Sequence, residues 1–394
     1  MLPRKDLFDL PEGVIYLDGN SLGPLPKGAA ARAAHVITEE WGQQLIRAWN
    51  SAGWMELPRR VGDRIAPLIG APAGSVATGD TLSIKVYQAL AAALRMRPDR
   101  RVILSDNGNF PSDLYMAQGL IETIGQGYEL RTPAPQDVAA AITPEVAVVM
   151  LTQVDYRTGR MHDMQAITRA AHQAGAVMIW DLAHSAGAVP VQLADVGAEF
   201  AVGCTYKYLN GGPGAPAFIY VRPDLVDSVQ PALAGWLGHK APFAMEPLYR
   251  PAMSTERLRV GTPPVVQLSV LDAALDVWDE VKMGTLRAAS IHLSQLFITE
   301  VEKLCPQLRL VSPSDPAQRG SQVSFAFPDG YAAMQALIDR GVIGDFRAPD
   351  IMRFGITPLY LDEQDIRQAA RILAEVITDE LWNDPKYQTR AAVT

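Results

Sequence analysis

The sequence predicts an α/β protein: a large domain whose mostly parallel sheet is flanked by helices, followed by a smaller α/β domain at the C-terminal end. Three observations predict it. Strand-like apolar runs alternate with helix-like segments through the first two thirds of the chain. Two of those runs, "EVAVVMLTQV" and "AVMIWD", are nearly continuous in apolar residues, as strands buried on both faces must be. The chain has 394 residues, more than one compact core accommodates.

The elements follow in order. "VITEEWGQQLIRAW" has helical spacing. "TLSIKVYQALAAALRM" puts Ile84, Tyr87, Leu90, Ala91 and Leu94 on one helical face, with Thr81 placed to cap it. "RRVILSD" reads as a short strand. "PSDLYMAQGLIETI" reads as a helix with Pro111 at its first position and Asp113 in its first turn. "DMQAITRAAHQAG" is a helix closed by Gly175. "FAVGCTY" and "APAFIYVRP" are further strands. After "GTPP" comes a long helical pattern, "VVQLSVLDAALDVWDEV". The last third mixes helices with the strand-like runs "QVSFAF", "VIGDF" and "IMRFGI".

Composition narrows the function classes. Net charge is -8, from 35 basic and 43 acidic residues, and no basic cluster stands out, so nucleic acid is not an expected partner. No apolar run reaches the length of a membrane-spanning helix, and the first residues lack the apolar stretch of a signal peptide. The chain has 2 cysteines, Cys204 and Cys305, too few for a disulfide scaffold, so the expected compartment is the cytoplasm.

In an open α/β sheet, ligands bind beyond the carboxyl ends of the strands. There the sequence places Asp181 and "LAHS" after one strand, "NGNFPSD" after another, "QVDYRTG" after a third and Lys207 after a fourth. The turn "TGD" precedes the "TLSIKV" helix. A lysine, acids, an aromatic and a helix N-terminus converging on one crevice fit pyridoxal phosphate. That cofactor needs an amine for its aldehyde, an anion for its ring nitrogen, a ring to stack on and amides for its phosphate. Lys207, between two tyrosines and ahead of "LNGGPG", is the candidate amine; the alternative is a solvated lysine. Asp181 is the candidate partner of the ring nitrogen, or else a helix cap. His184 is placed beside the cofactor rather than on a metal, since the other histidines lack ligand spacing. Leu82 and Ser83 offer amides and a hydroxyl to the phosphate, or simply begin an ordinary helix. Phe110 covers the ring or belongs to the core. P-loop, esterase, zincin and thiol-redox signatures are not found.

With those residues placed, further segments fall into a familiar order: "YLDGNSLGPLP" (Tyr16 to Pro26), "FPSD" (Phe110 to Asp113), "DLAHSAGAVP" (Asp181 to Pro190), "CTYKYLNGGPGAPAF" (Cys204 to Phe218), "GWLGH" (Gly235 to His239), "RVGTPP" (Arg259 to Pro264) and "MRFGITPLY" (Met352 to Tyr360). In this the sequence resembles the kynureninase family, class V pyridoxal-phosphate hydrolases of fold type I, nearly end to end. The "YKYLNGGPG" and "GWLGH" segments are the most specific part of the match.

The resemblance implies a function and a set of roles. The reaction is hydrolysis of L-kynurenine, or its 3-hydroxy form, to anthranilate, or its 3-hydroxy form, and L-alanine, in tryptophan degradation. Lys207 resembles the lysine that binds the cofactor, and Tyr206 a phosphate ligand and proton donor. Asp181 resembles the ring-nitrogen partner, and His184 a cofactor contact. Leu82, Ser83 and the turn Phe110, Pro111, Ser112, Asp113 resemble the cofactor cradle, with Thr152 beside it. Trp236 and Thr262 match phosphate-side residues that come from the partner subunit of a homodimer. Arg353 resembles the arginine that clamps the substrate carboxylate, a task suited to its planar fork. Trp49 or Trp54 takes the place that reads the substrate ring. The implied layout is an N-terminal segment, 1–50, packing on the small domain; a large cofactor-binding domain, 51–262; and a linking helix with the small domain, 263–394. Two rivals share the fold class. A cysteine desulfurase needs a cysteine on a mobile loop, and neither Cys204 nor Cys305 reads that way. A class V aminotransferase would need a 2-oxo acid as acceptor.

Overall fold

The computed structural model describes residues 2–390. Seven strands form the large sheet: β1 (Val76–Thr78), β2 (Val102–Leu104), β3 (Glu129–Arg131), β4 (Val146–Thr152), β5 (Val177–Asp181), β6 (Phe200–Gly203) and β7 (Phe218–Val221), in the order β1-β7-β6-β5-β4-β2-β3. The pairs within β6-β5-β4-β2-β3 are parallel, and β7 runs antiparallel to both β6 and β1. The sheet is therefore mostly parallel, with β7 as its single reversed strand. Two strands, β1 and β3, have no clear strand pattern in the sequence. Each is three residues long, too short for alternation to register.

The helices of eight or more residues are α1 (Lys27–His35), α2 (Leu57–Ile65), α3 (Leu82–Arg95), α4 (Pro111–Ile124), α5 (Met164–Gln173), α6 (Val265–Ala274), α7 (Met283–Leu304), α8 (Gly330–Ile338) and α9 (Glu363–Thr378). A π-helical stretch, Val36–Gln44, continues α1. The "VITEEWGQQ" pattern is thus helical, but with a wider turn than its spacing implies. The long helix expected after "GTPP" ends at Ala274 and tightens into a 3₁₀ turn, Leu275–Trp278.

Burial explains the strand patterns. All seven residues of β4 and all five of β5 are buried. Their side chains alternate between two cores, as the pleat requires. Val148 and Met150 join Ile179 and Val202 on one face, with Val86, Ala89, Leu90 and Ala93 of α3 packed over them. Val149 and Leu151 join Met178 and Trp180 on the other, where Val61 and Ile65 of α2 and Ile167 of α5 cover them. The buried side of α3 includes Val86, Ala89 and Ala93 together with Leu90, Ala91 and Leu94 of the expected face, while Ile84 and Tyr87 of that face are half-buried. Each fully buried aliphatic side chain contributes about 1.5–3 kcal/mol, which fixes α3 against the sheet.

The second sheet, antiparallel throughout, has the order β8-β9-β11-β10: β8 (Arg309–Leu310), β9 (Gln322–Ala326), β10 (Asp345–Arg347) and β11 (Ile351–Gly355). Phe297 of α7 and Leu373 of α9 pack with Phe325 and Phe354 of this sheet in the same core as the α2 side of the large sheet. The N-terminal stretch reaches across: Ile15–Tyr16 pairs in parallel with Val342–Ile343, and the Gly355 amide bonds to the Leu17 carbonyl at 2.6 Å.

Candidate active site

The carboxyl ends of β2, β4, β5 and β6 bring the expected residues together. Asp181 ends β5 and is 2% exposed. Its Oδ1 accepts from the Ala183 amide at 2.8 Å, and its Oδ2 from the Thr152 hydroxyl at 3.3 Å. The Ala183 contact caps a turn and not a helix, and leaves Asp181 buried beside Thr152 at the end of the strand. His184 is buried three residues on, and its Nε2 lies 3.0 Å from Lys207 Nζ. The ring's other nitrogen, Nδ1, is buried without a hydrogen-bond partner.

The turn that carries Lys207 is braced by its own backbone. The Asn210 amide bonds to the Lys207 carbonyl at 3.0 Å, with Asn210 at φ 60°, and the Gly211 amide bonds to the Thr205 carbonyl at 2.9 Å. Gly23 of the N-terminal loop packs so closely that a Cβ there would collide with the Lys207 carbonyl oxygen. These contacts account for "LNGGPG" after the lysine and for "SLG" far upstream. Lys207 Nζ lies 6.0 Å from the centre of the Phe110 ring and 5.8 Å from that of Tyr206. Phe110 is more than a third exposed, so it faces the crevice and not the core.

Two helices begin side by side at this crevice. Ser83 Oγ of α3 and Ser112 Oγ of α4 are 2.9 Å apart. Thr81 does not cap α3 with its side chain, contrary to the sequence reading; its backbone is extended and the side chain is exposed. The first-turn amides at Leu82 and Ser83 are consequently left without a capping oxygen, which is what an anion requires. α4 likewise has no side-chain cap, and its Pro111 donates nothing.

Electrostatics sort the acids. Burial and the Asp181 charge push Asp113 well above the usual carboxylate range. Burial also raises Asp181, while Lys207, the Ala183 amide and Thr152 pull it back. Of this buried pair Asp113 holds the proton and Asp181 the charge. His184 is held well below its ordinary value by burial and by the charges of Lys207, Arg353 and Arg347, so it is neutral. The neighbouring Cys204, together with burial, raises Tyr206, which keeps its phenolic proton.

Arg353, in β11, is 1% exposed and points inward. Its guanidinium forks onto Asp345: Nε donates to Oδ1 at 2.5 Å, and Nη2 to Oδ2. Nη2 also donates to Ser21 Oγ at 2.9 Å, and Nη1 to the Tyr156 carbonyl at 2.5 Å. Arg347 meets the same Asp345 at 3.0 Å. Burial opposes ionisation of Asp345, but the Arg353 hydrogen bond and the two arginine charges outweigh it and hold it low. Asp18, beside it, is pushed up to about 8 by burial and by the Asp345 charge.

Sequence reasoning missed several of these residues. Asn109 accepts from the Thr152 hydroxyl and from the Phe110 amide at 2.7 Å, so it sets the turn that holds Phe110. Tyr156 packs edge-on to Phe110, 5.2 Å between centroids, and receives Arg353. Asp18 and Asp345, with the Ser21 hydroxyl beside them, form the acidic side of the arginine cluster. A signal for Asp345 existed in the alternation Asp345, Arg347 along a strand-like run. Trp49 is half-buried and packs edge-to-face on Trp54, 5.5 Å away, while Trp54 Nε1 donates to Glu40 at 2.7 Å. Among the described residues, no hydrogen bond or ring contact joins either tryptophan to Lys207. Trp236 and Thr262 are exposed, and among the described residues no hydrogen bond or ring contact joins either of them to Lys207; Trp236 stacks edge-on with Phe243 at 5.8 Å.

The donor set fits pyridoxal phosphate. A lysine amine, a buried carboxylate, an unpartnered buried imidazole nitrogen and two uncapped serine-bearing helix starts face one crevice. Fold and site together define a pyridoxal-phosphate-dependent enzyme of fold type I.

Comparison with known proteins agrees. The fold is similar to that of a cysteine desulfurase from Thermococcus onnurineus NA1, with TM-score 0.82, 17% identity, 96% of this chain and 99% of that chain covered. It is also similar to a protein with glycine covalently linked to its PLP cofactor, with TM-score 0.82, 19% identity, 95% of this chain and 99% of that one covered. Residues 286–373 match the kynureninase C-terminal domain, and residues 89–203 match the DegT/DnrJ/EryC1/StrS aminotransferase family. The chain is 53% identical to the kynureninase of Pseudomonas fluorescens over 100% of its length and 96% of the relative's. The identity to the kynureninase of Burkholderia pseudomallei, strain K96243, is also 53%, over the same shares. The chain belongs to the kynureninase family.

Proposed function

We propose that the protein hydrolyses L-kynurenine to anthranilate and L-alanine, with the 3-hydroxy substrate as the second candidate, as a step in tryptophan degradation. The observation that carries this reading is Lys207, set 3.0 Å from neutral His184 at the strand ends of a kynureninase-family chain. Leu82, Ser83 and Ser112 would hold the phosphate, Asp181 the ring nitrogen, and Lys207 the aldehyde carbon. When bound, pyridoxal phosphate supplies an aldehyde for the substrate's α-amine and a ring that takes up electrons from its α-carbon.

The chain's own residues then do the rest. Arg353 orients the substrate through its α-carboxylate. Lys207 Nζ moves the proton from the α-carbon, and neutral His184 beside it adds no second positive charge next to that amine. The protonated phenol of Tyr206 serves as the proton donor. Water adds at the γ-carbonyl carbon, the bond between the β- and γ-carbons breaks, the β-carbon takes up the proton of the Tyr206 phenol, and anthranilate leaves before alanine.

The assembly we propose is a homodimer in which Trp236 and Thr262 complete the partner's phosphate site. Its support is the exposed apolar surface near them, Phe243, Met245, Leu248 and Met253. We place the protein in the cytoplasm, where its two buried, unpaired cysteines stay reduced. Those same cysteines count against a desulfurase, whose sulfur-accepting thiol has to be reachable. The test is direct: the purified protein with pyridoxal phosphate should release fluorescent anthranilate from L-kynurenine. Release of sulfide from cysteine with no anthranilate would overturn the reading.

A further inference from the structure

Arg353 cannot offer a ligand the edge of its guanidinium that best matches a carboxylate, because Asp345 already occupies it through Nε and Nη2. What remains open is part of Nη1, whose other contact is the Tyr156 carbonyl. The strand register supplies a second donor. Asp345 pairs with Arg353 across β10 and β11, and Arg347 lies two residues along β10 from Asp345. Side chains at alternate strand positions share a face, so Asp345, Arg347 and Arg353 project to the same side. Arg347 is held less tightly than Arg353: its side chain is 36% exposed against 2%. Its contacts are Asp345 Oδ2 at 3.0 Å and the Phe346 carbonyl at 2.8 Å.

Charge points the same way. Asp18 is largely protonated near neutral pH, so one ionised carboxylate, Asp345, faces two guanidiniums. One positive charge is left over. Both guanidiniums act on His184, which touches Lys207, so the surplus charge lies toward the reacting lysine.

We infer that Arg347 is the second arm of the clamp for the substrate carboxylate: Asp345 pins Arg353 edge-on, and the carboxylate is received between the open side of Arg353 and the guanidinium of Arg347. This rests on the hydrolytic reading above and adds a specificity residue to it. Asp345 is thereby a positioning residue, holding both arginines without touching substrate.

The test compares the holoenzyme with Arg347→Gln on L-kynurenine and on its α-carboxamide, whose carboxyl carries no charge. The variant should raise KM for L-kynurenine roughly tenfold or more while changing kcat much less, the pattern of lost binding shared by ground and transition states. The preference for acid over amide should shrink by a similar factor, a change that a merely structural role would not produce. Arg347→Lys should recover part of it. In parallel, L-alanine is titrated into both holoenzymes, with the change in cofactor absorbance as the readout; its Kd should also rise roughly tenfold in the variant. An unchanged acid-to-amide preference together with an unchanged alanine Kd overturns the second arm. A parent enzyme inactive on L-kynurenine overturns the hydrolytic reading instead, and the alanine titration still decides the clamp.

Discussion

Lys207 Nζ sits 3.0 Å from His184 Nε2, and the other nitrogen of that imidazole is buried with no partner. Burial, and then the neighbouring lysine, hold this histidine well below its ordinary value. This pair marks the amine that the cofactor's aldehyde should engage. Borohydride reduction of the yellow holoenzyme, followed by peptide mapping, should place the adduct on Lys207. An adduct on another lysine, Lys85 for example, would refute the assignment.

The same pair sets a pH dependence. The folded-state value of His184 is lowered by burial and by Lys207, Arg353 and Arg347, against about 6.5 in the unfolded chain. Below that value the unfolded chain takes up a proton that the folded protein refuses, so stability falls as pH drops. Asp113 is raised and works in the opposite direction, so the contribution of His184 is read by difference. Between pH 7.5 and 5.5 the parent should therefore lose stability relative to His184→Gln, as measured by denaturant unfolding at each pH. Parallel stability curves for the two proteins would mean that His184 protonates in the folded state.

Much of this site was legible because its residues end strands. Asp181 and Lys207 each close an apolar run, and Pro111 and Ser112 open a helix after another, so chain order alone converges them. The arginine cluster was less legible. Ser21 lies more than three hundred residues from the Asp345 and Arg353 it bonds to, as does Asp18 from the same two charges, and no local period reports a contact at that distance. Thr81 shows the opposite failure. Its residue type favours a cap, yet the side chain stays exposed and leaves the helix start open. Residue type alone does not make a cap; the side chain must also turn back onto the first-turn amides, and here it does not.

That open helix start yields a prediction about cofactor affinity. Ser83 and Ser112 lie 2.9 Å apart at the two helix N-termini. A hydrogen bond to a charged group contributes about 1.5–3 kcal/mol. Ser83→Ala and Ser112→Ala should each weaken pyridoxal phosphate binding by roughly tenfold or more. Equilibrium dialysis measures this directly, and kcat at saturating cofactor should change far less. Unaltered affinity in both variants would place the phosphate elsewhere.

The proposed homodimer, with sites shared between its subunits, makes a further prediction. A Lys207→Ala chain mixed with a chain carrying Trp236→Ala and Thr262→Ala should regain activity, since one of the two sites in each heterodimer then has all its parts. Confirmed heterodimers with no recovery would argue that each site is built from one chain.

Arg353 is the residue at which binding and stability must be separated. Its charge is buried and answered by Asp345, so Arg353→Ala leaves a carboxylate without its main partner. Breaking a buried pair in this way costs about 3–5 kcal/mol of stability. Adding Asp345→Asn removes the stranded charge and should recover much of that loss in thermal unfolding. Activity should behave differently. Truncating one side of a desolvated, charge-assisted contact to substrate costs about 2–5 kcal/mol, and each 1.4 kcal/mol is about tenfold. Hence kcat/KM for L-kynurenine should fall roughly 30-fold or more in Arg353→Ala. It should stay down in the double variant, because removing the carboxylate charge of Asp345 does not give the substrate back its guanidinium. Recovery of kcat/KM along with stability would show that Arg353 serves the fold alone and that Arg347 receives the carboxylate unaided.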